Sequence, residues 1–83
     1  MKTLTKQELL RMYDYVGEFS EGLARASEGI GRALHIRPDG TPAYEERFDW
    51  TESFFGGLAR VGLKGEVFNI SPDGKCVGYR YRG

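Results

Sequence analysis

The side chains best suited to metal binding or nucleophilic attack are scarce in this sequence. His35 is the only histidine and Cys76 the only cysteine among the 83 residues. A zinc site needs several ligands that converge, usually as closely spaced pairs of Cys or His. We therefore expect no metal and no cofactor. Because His35 alternates with Leu34 and Ile36, it is predicted on the non-core face of a strand, and Cys76 is predicted to be an ordinary small strand residue.

Carboxylates are more numerous, but their setting does not favour acid–base chemistry. Glu45 and Glu46 are adjacent, and Asp49 and Glu52 follow closely. General acid and base catalysis needs two such groups at a fixed separation in a pocket that shifts the pKa of one of them. Acidic residues in a turn-rich stretch are usually solvated, so we expect no catalytic residues and no enzyme. Asp14 and Asp49, each beside an aromatic residue, are expected to accept backbone hydrogen bonds and fix a bend.

Tyrosine and arginine alternate at the C-terminal end, as Tyr79, Arg80, Tyr81 and Arg82. In a strand the two tyrosines would share one face and the two arginines the other. Aromatic residues between arginines can stack on bases and neutralise phosphates, which makes single-stranded nucleic-acid binding one hypothesis. The chain is neutral overall, with 12 basic and 12 acidic residues. We therefore favour a terminal strand with a buried tyrosine face and a solvated arginine face.

Further aromatic residues crowd the stretch from Phe48 to Phe55, which also contains Trp50 and Phe54. Phe54 is expected in the core. Phe55 occupies a position that is serine in an earlier copy of the same segment, and an exposed aromatic side chain there would suit contact with a partner protein. The residues predicted to bind a partner are Trp50, Phe55, Tyr79, Arg80, Tyr81 and Arg82.

The charge distribution and the cysteine content limit the class of protein. Residues 1–57 carry seven basic and ten acidic side chains, whereas residues 58–83 carry five basic and two acidic. This asymmetry could orient a partner or a second copy of the chain. A lone cysteine excludes an intramolecular disulfide and favours a reducing compartment, and no run of about 18 apolar residues could span a bilayer. We expect a cytoplasmic protein without membrane contact.

The elements that position these residues come in two copies. The segment FSEGLARA at residues 19–26 returns as FFGGLARV at residues 54–61, and LHIRPDG at residues 34–40 returns as FNISPDG at residues 68–74. The spacing is 35 residues for the first pair and 34 for the second. Self-similarity at a nearly fixed spacing indicates a repeat architecture.

Within each unit the local sequence favours strands over helices. The segments Pro38–Gly40 and Pro72–Gly74 suit a type I turn followed by a left-handed glycine, a common hairpin connection. Tetratricopeptide-like helical pairs of similar period are disfavoured by these turns and by the glycines. The residues before each turn alternate as in a strand with one buried face, and another strand is predicted over Leu23–Ala26. A helix over residues 18–30 is an alternative, because apolar residues there also fall at helical spacing.

A short helix is predicted before the repeats, over residues 5–13. Thr5 and Glu8 fit a capping box, and Leu9 and Met12 begin an apolar stripe. So short a helix is not stable alone in water, so it must pack on the repeats and cover one end of them. The predicted organisation of the single domain 1–83 is a capping helix at 5–13, unit 1 at 13–47 and unit 2 at 48–83.

The paired Phe-x-x-Gly-Leu-Ala-Arg segments and Ile-x-Pro-Asp-Gly turns resemble the bacterial WG repeat family, also called KWG repeats. The resemblance covers residues 13–82. The Trp-Gly doublet that names the family is replaced by Ala33-Leu34 and Val67-Phe68. The resemblance implies repeated β-hairpin or three-stranded units with a binding role, and it brings no catalytic residues.

Together these patterns predict a mainly β fold in which two hairpin or meander units stack behind a capping helix. The predicted function is non-enzymatic binding of another protein. Single-stranded nucleic-acid binding through the C-terminal half is the alternative, and an enzyme is the least favoured class. Repeat units bury their apolar faces against neighbours, and about three are usually needed for stability. With two units, either the Tyr-Arg tail or a second molecule in a homodimer would close the stack.

Overall fold

The computed structural model describes residues 2–82, which form one short helix and seven strands in two antiparallel sheets. The first sheet has the order β1-β2-β3 and the second the order β4-β5-β6-β7. The predicted mainly β fold with an N-terminal helix is confirmed. The elements are α1 (Lys6–Leu10), β1 (Tyr15–Ser20), β2 (Leu23–Ser27), β3 (Ala33–Ile36), β4 (Trp50–Thr51), β5 (Ala59–Leu63), β6 (Glu66–Ile70) and β7 (Cys76–Arg82).

Helix α1 begins with the capping box expected from the sequence. The backbone N–H of Glu8 donates to Thr5 Oγ1 over 3.2 Å, and the backbone N–H of Thr5 donates to Glu8 Oε1 over 2.9 Å. The helix ends at Leu10, earlier than the predicted span of residues 5–13, and a hydrogen-bonded turn continues to Tyr13. Leu9 is buried, and α1 contacts β1. The helix therefore covers part of the first sheet.

A two-residue turn replaces the helix considered for residues 18–30. Glu21 and Gly22 both have positive φ, 54° and 84°, and they connect β1 to β2. Positive φ at both central residues is the requirement of a type I′ hairpin turn, and no right-handed helix contains it. The predicted strand is confirmed, because Ala24 and Ala26 are buried in β2 while its other residues are partly exposed.

Both Pro-Asp-Gly segments form the predicted hairpin turns. The backbone N–H of Gly40 donates to Arg37 O over 2.8 Å, and the backbone N–H of Gly74 donates to Ser71 O over 2.9 Å. The two glycines have φ of 86° and 84°, the left-handed conformation that glycine adopts without steric cost. Each turn follows the strand that the alternating pattern predicts, β3 or β6.

The chain after each of these turns returns along the edge of the preceding strand. Cys76 pairs with Ile70 in the second sheet, and Pro42 bridges to Ile36 in the first. In the first unit the returning segment is residues 42–48, which is irregular and ends where Phe48 bridges to Ala33. The 34-residue spacing of the sequence repeat therefore also relates equivalent strand pairings in the structure. Cys76 is an exposed strand residue, as predicted.

Each sheet has two faces, which we name by their residues. The near faces are buried and consist of Val16, Ala24, Ala26, Leu34 and Ile36 in the first sheet and Thr51, Ala59, Val61, Phe68 and Ile70 in the second. The far faces lie opposite and consist of Tyr15, Arg25, Ser27, Ala33 and His35 in the first sheet and Trp50, Arg60, Gly62, Val67, Asn69 and Tyr81 in the second.

His35 is buried, which corrects the prediction that it stands on the non-core face of its strand. It does point away from Leu34 and Ile36, but that far face is covered by other parts of the chain. The His35 ring lies 4.5 Å from the Phe54 ring, centroid to centroid, and none of its surface is exposed. Tyr44 also packs edge-on against it. The alternation of the strand could not show that a second layer covers this face.

Contacts between the two hairpin tips join the units. Ser20 Oγ donates to Phe54 O over 2.7 Å. The Glu21 carboxylate accepts two backbone hydrogen bonds, from Gly56 N over 2.6 Å and from Gly57 N over 2.9 Å. A carboxylate that accepts two peptide N–H groups makes strong charge-assisted hydrogen bonds. The tip of unit 1 therefore holds the tip of unit 2 in place.

A second attachment ties the returning segment 42–48 to the first sheet. Arg47 and Glu28 form a bidentate pair, with 2.8 Å between Nε and Oε1 and 3.1 Å between Nη2 and Oε2. The Arg47 guanidinium lowers the pKa of Glu28 and stabilises its charged form. Both side chains are mostly shielded from solvent, so this pair is geometrically better defined than an exposed one.

Candidate partner-binding surface

The far face of the second sheet presents a row of side chains across all four strands. Trp50 pairs with Gly62, Gly62 with Val67, and Val67 with Tyr81. The Trp50 indole lies flat over Gly62, where any Cβ would overlap it. Trp50 is 41% exposed and Tyr81 is 61% exposed. Two of the predicted partner-binding residues therefore share one solvent-facing surface.

The tyrosine face of the C-terminal strand is exposed, so the prediction of a buried tyrosine face is wrong. Tyr79 is 80% exposed, and every residue of β7 is exposed. A bulge at Gly78, which has φ of 83°, shifts the pairing of β7 with β6. β7 is the edge strand of its sheet, and among the described residues no layer covers its far face. Alternation places side chains on faces, but it does not show which face has a neighbour.

Arg80 lies on the opposite side of β7 from Tyr81 and is engaged within the protein. Its guanidinium carbon is 4.2 Å from the centroid of the Phe68 ring, and its Nη1 is 3.4 Å from Glu66 Oε1. Arg82 pairs with Glu66 along the strand register. The alternation of Tyr81 and Arg80 is thus as predicted, but Arg80 shields the edge of the core instead of being fully solvated.

Phe55 projects from the tip of the second hairpin. It is 87% exposed, whereas its neighbour Phe54 is 1% exposed and belongs to the core as predicted. Phe55 bridges to Leu58 around the Gly56-Gly57 turn. The equivalent residue in unit 1 is Ser20, whose hydroxyl donates a hydrogen bond to unit 2. Phe55 occupies the same position in unit 2, and no residue in the range 2–82 covers its side chain.

Asp49 fixes the loop beside Trp50. Its Oδ2 accepts a hydrogen bond from Lys64 N over 2.9 Å, which is the role predicted for it. No such bond is found for Asp14 within the described part of the chain, although both residues donate their backbone N–H groups equivalently, to Ser27 O and Gly62 O. The loop that carries Trp50 is therefore held more firmly than its counterpart in unit 1.

A depression of about 320 Å³ opens on the far face of the second sheet. It is lined by Arg60, Val67, Phe68, Asn69 and Tyr81. Only Tyr81 of these was predicted as a site residue. The repeat could have indicated two of the others. Arg60 and Asn69 are equivalent to Arg25 and His35, which contact Thr51 and Glu52 of unit 2.

The buried histidine has a defined hydrogen-bonding pattern. Its Nε2 lies 2.8 Å from Glu52 O, which can only accept, so Nε2 carries the proton. Its Nδ1, 2.7 Å from the Tyr44 hydroxyl, then accepts from that group. Burial lowers the pKa of His35 and raises that of Tyr44, since each charged form would lose its hydration. His35 is a neutral structural group here.

Among residues 2–82, no group of three or more His, Cys, Asp or Glu side chains is placed to hold a metal ion. In the same part of the chain, no helix has the length and apolar character needed to cross a membrane.

The sequence was also compared with known proteins. The family model described as WG containing repeat matches residues 11–29. The match spans the turn after α1 and the β1–β2 hairpin, and it confirms the resemblance to the WG repeat family in this segment. No curated protein and no solved structure matches the chain.

Proposed function

We propose that this WG-type repeat protein is a non-enzymatic binding module whose partner is another protein. The observation that carries the proposal is the row formed by the exposed Trp50 and Tyr81 and the partly buried Val67 on the four-stranded sheet, with the exposed Phe55 at the hairpin tip. Large aromatic side chains bury much surface and lose few rotamers on binding, which is why they dominate the energetics of protein interfaces.

A single-stranded nucleic-acid partner has less support. Stacking of bases would need exposed tyrosines next to arginines that are free to reach phosphates. Arg80 is instead held between Phe68 and Glu66. Titration of the protein with single-stranded oligonucleotides at increasing salt tests this alternative, since binding through phosphates weakens steeply with salt. Salt-sensitive binding would replace the proposal of a protein partner.

A catalytic role has no support from the arrangement of reactive groups. The far-face depression is lined by one basic residue, Arg60, together with apolar and neutral polar side chains. The histidine, the usual general base at neutral pH, is enclosed elsewhere between Tyr44 and Glu52 O. These positions favour recognition over chemistry.

The test is affinity capture from the native host, followed by mass spectrometry and repeated with three variants. Trp50→Ala and Phe55→Ala should lose the partner that the wild-type protein retains. Ile30→Ala is the matched control, because Ile30 is a fully exposed apolar residue in the turn before β3. If the same partner is retained by all variants, or lost equally with the control, this surface is not the binding site.

The same surface could also pair with a second copy of the chain. Static light scattering over a wide concentration range distinguishes the two cases. A mass that stays at that of one chain removes the homodimer, and a dimer that Trp50→Ala dissociates would make the second copy the partner.

A further inference from the structure

We propose that the far face of the second sheet binds an extended, acidic polypeptide segment and receives one of its aromatic side chains in the depression beside Arg60, Asn69 and Tyr81. The inference rests on the proposed binding function and specifies the kind of partner. The proposed partner segment resembles residues 48–55 of this protein, FDWTESFF, in its acidic and aromatic residues.

The first sheet shows how such a face is occupied. Residues 51–54 cross its far face, and three donors there hold their backbone carbonyls. His35 Nε2 donates to Glu52 O over 2.8 Å. Ser20 Oγ donates to Phe54 O over 2.7 Å, and Arg25 Nη1 reaches Thr51 O over a longer 3.5 Å. The face therefore recognises an extended backbone through its carbonyl groups.

The aromatic side chain of that segment completes the contact. The Phe54 ring packs against His35 at 4.5 Å between centroids and is 1% exposed. Burial of a phenylalanine side chain contributes on the order of 2–3 kcal/mol. The backbone contacts set the direction of the segment, and the ring provides most of the attraction.

The second sheet repeats this arrangement without an occupant among residues 2–82. Arg60 pairs with Asn69 across β5 and β6, as Arg25 pairs with His35 across β2 and β3. Neither the Arg60 nor the Asn69 side chain hydrogen-bonds to another residue in that range. A guanidinium and a carboxamide both carry N–H donors suited to peptide carbonyls.

The shape of the second far face also fits an aromatic ring. The depression of about 320 Å³ is lined by Val67, Tyr81 and part of Phe68, together with Arg60 and Asn69. The corresponding edge of the first sheet contributes the small residue Ala33 where the second contributes Val67. A lining that combines apolar side chains with a few polar donors is common in pockets that bind a ligand group.

Charge favours an acidic occupant. The residues that define this far face include one cation, Arg60, and no carboxylate, whereas FDWTESFF contains Asp49 and Glu52 and no basic residue. Opposite charges on two surfaces accelerate association and discriminate against wrongly charged partners. A basic segment of the same length should therefore bind less well.

Fluorescence anisotropy with a fluorescein-labelled FDWTESFF peptide and the whole protein tests the inference. We expect saturable binding, and we expect the peptide with alanine in place of its second-to-last phenylalanine, the counterpart of Phe54, to bind about tenfold more weakly. Amide shifts in an NMR titration should concentrate at Arg60, Val67, Asn69 and Tyr81. A peptide in which lysines replace its two acidic residues should also bind more weakly.

Variants of the protein locate the site. Tyr81→Ala and Arg60→Ala should each weaken binding by about threefold or more. Ile30→Ala and Arg11→Ala, at exposed positions outside this face, are the controls and should change nothing. Asn69→His copies unit 1 and should keep binding, while Asn69→Ala should weaken it. All substituted residues lie at least partly in solvent, and circular dichroism checks that each variant is folded.

Three results would overturn the inference. One is no saturable binding, another is binding that Tyr81→Ala and Arg60→Ala leave unchanged, and the third is self-association through this face without peptide binding. If the peptide does not bind but a captured partner still depends on Trp50 and Phe55, the inference is wrong and the proposed function stands.

Discussion

The two units share one backbone plan but differ in what covers their far faces. In both, the residue before the first strand donates its N–H across the hairpin, from Asp14 to Ser27 O and from Asp49 to Gly62 O. His35 in unit 1 is fully buried, whereas its counterpart Asn69 is partly exposed. The same strand position thus becomes core or surface according to whether another layer lies above it.

The hairpin tips differ in the same way. Ser20 and Glu21 bond to the backbone of unit 2, while Phe55 and Gly56, at the matching positions, are exposed. The variable pair of residues in the repeat therefore serves the junction between units in one copy and faces solvent in the other.

The largest difference between the units should appear on truncating their equivalent phenylalanines. Phe54 is 1% exposed and Phe19 is 41% exposed. Phe54→Ala should cost about 3–5 kcal/mol of unfolding free energy, enough to unfold much of so small a domain, and Phe19→Ala about 1–2 kcal/mol. Urea unfolding followed by Trp50 fluorescence measures both. Equal losses would mean that the two units have equivalent cores.

The next largest effect should be a dependence of the unfolding free energy on pH that arises from His35 in unit 1. Burial lowers the pKa of His35 from its ordinary 6.5, so the unfolded chain takes up a proton first as the pH falls. Stability is then fully present above pH 6.5 and declines below it, by up to about 1.4 kcal/mol per pH unit until the folded state is also protonated.

His35→Asn, which installs the residue of unit 2, should remove this slope between about pH 7 and 5. The carboxyls whose pKa is lowered, Glu8, Glu28, Asp39 and Asp73, lose their contribution to stability only as the pH falls through their ordinary values of 4.5 for Glu and 3.8 for Asp, which lie below this range. Urea unfolding at several pH values measures the slope. If the variant keeps the slope, another group is responsible.

A smaller loss of unfolding free energy is expected when the hydrogen bonds between the two hairpin tips are removed. Glu21→Ala removes the acceptor of Gly56 N and Gly57 N and should cost about 1 kcal/mol, because the carboxylate is exposed. Glu21→Gln keeps one acceptor oxygen and should cost less. Glu18→Ala, with a side chain 97% exposed, is the control and should leave the urea midpoint unchanged. Equal midpoints for Glu21→Ala and the control would show that the junction contributes no stability.

The smallest effect on stability is expected at Gly62, where unit 1 has Ser27. A methyl group at Gly62 would displace the Trp50 indole, which can rotate toward solvent since it is already 41% exposed. Gly62→Ala should change the unfolding free energy by less than about 1 kcal/mol and shift the Trp50 emission to longer wavelength. An unchanged emission spectrum would mean that the indole does not lie on Gly62 in solution.

Features with local causes were predictable from the sequence. The Thr5 capping box, the turns at Gly40 and Gly74 and the strand alternation in β2 each depend on residues within a few positions of one another. The repeat aligns Phe54 with Phe19, but Phe54 is 1% exposed and Phe19 is 41% exposed, so the repeat position alone does not explain the burial of Phe54. Features with non-local causes were missed, such as the cover over His35 and the exposure of Tyr79, because both depend on whether a distant segment reaches that face.

The sequence by itself determined the two-unit plan, the hairpins and the face of its strand to which each side chain points. Only the tertiary structure decided which of those faces are enclosed. The far face of the first sheet is covered around His35 by Phe54 and Tyr44, and that of the second is open around Asn69 and Tyr81. The physical reason is that backbone geometry sets alternation residue by residue, whereas burial requires a second surface, supplied by residues far away in the chain.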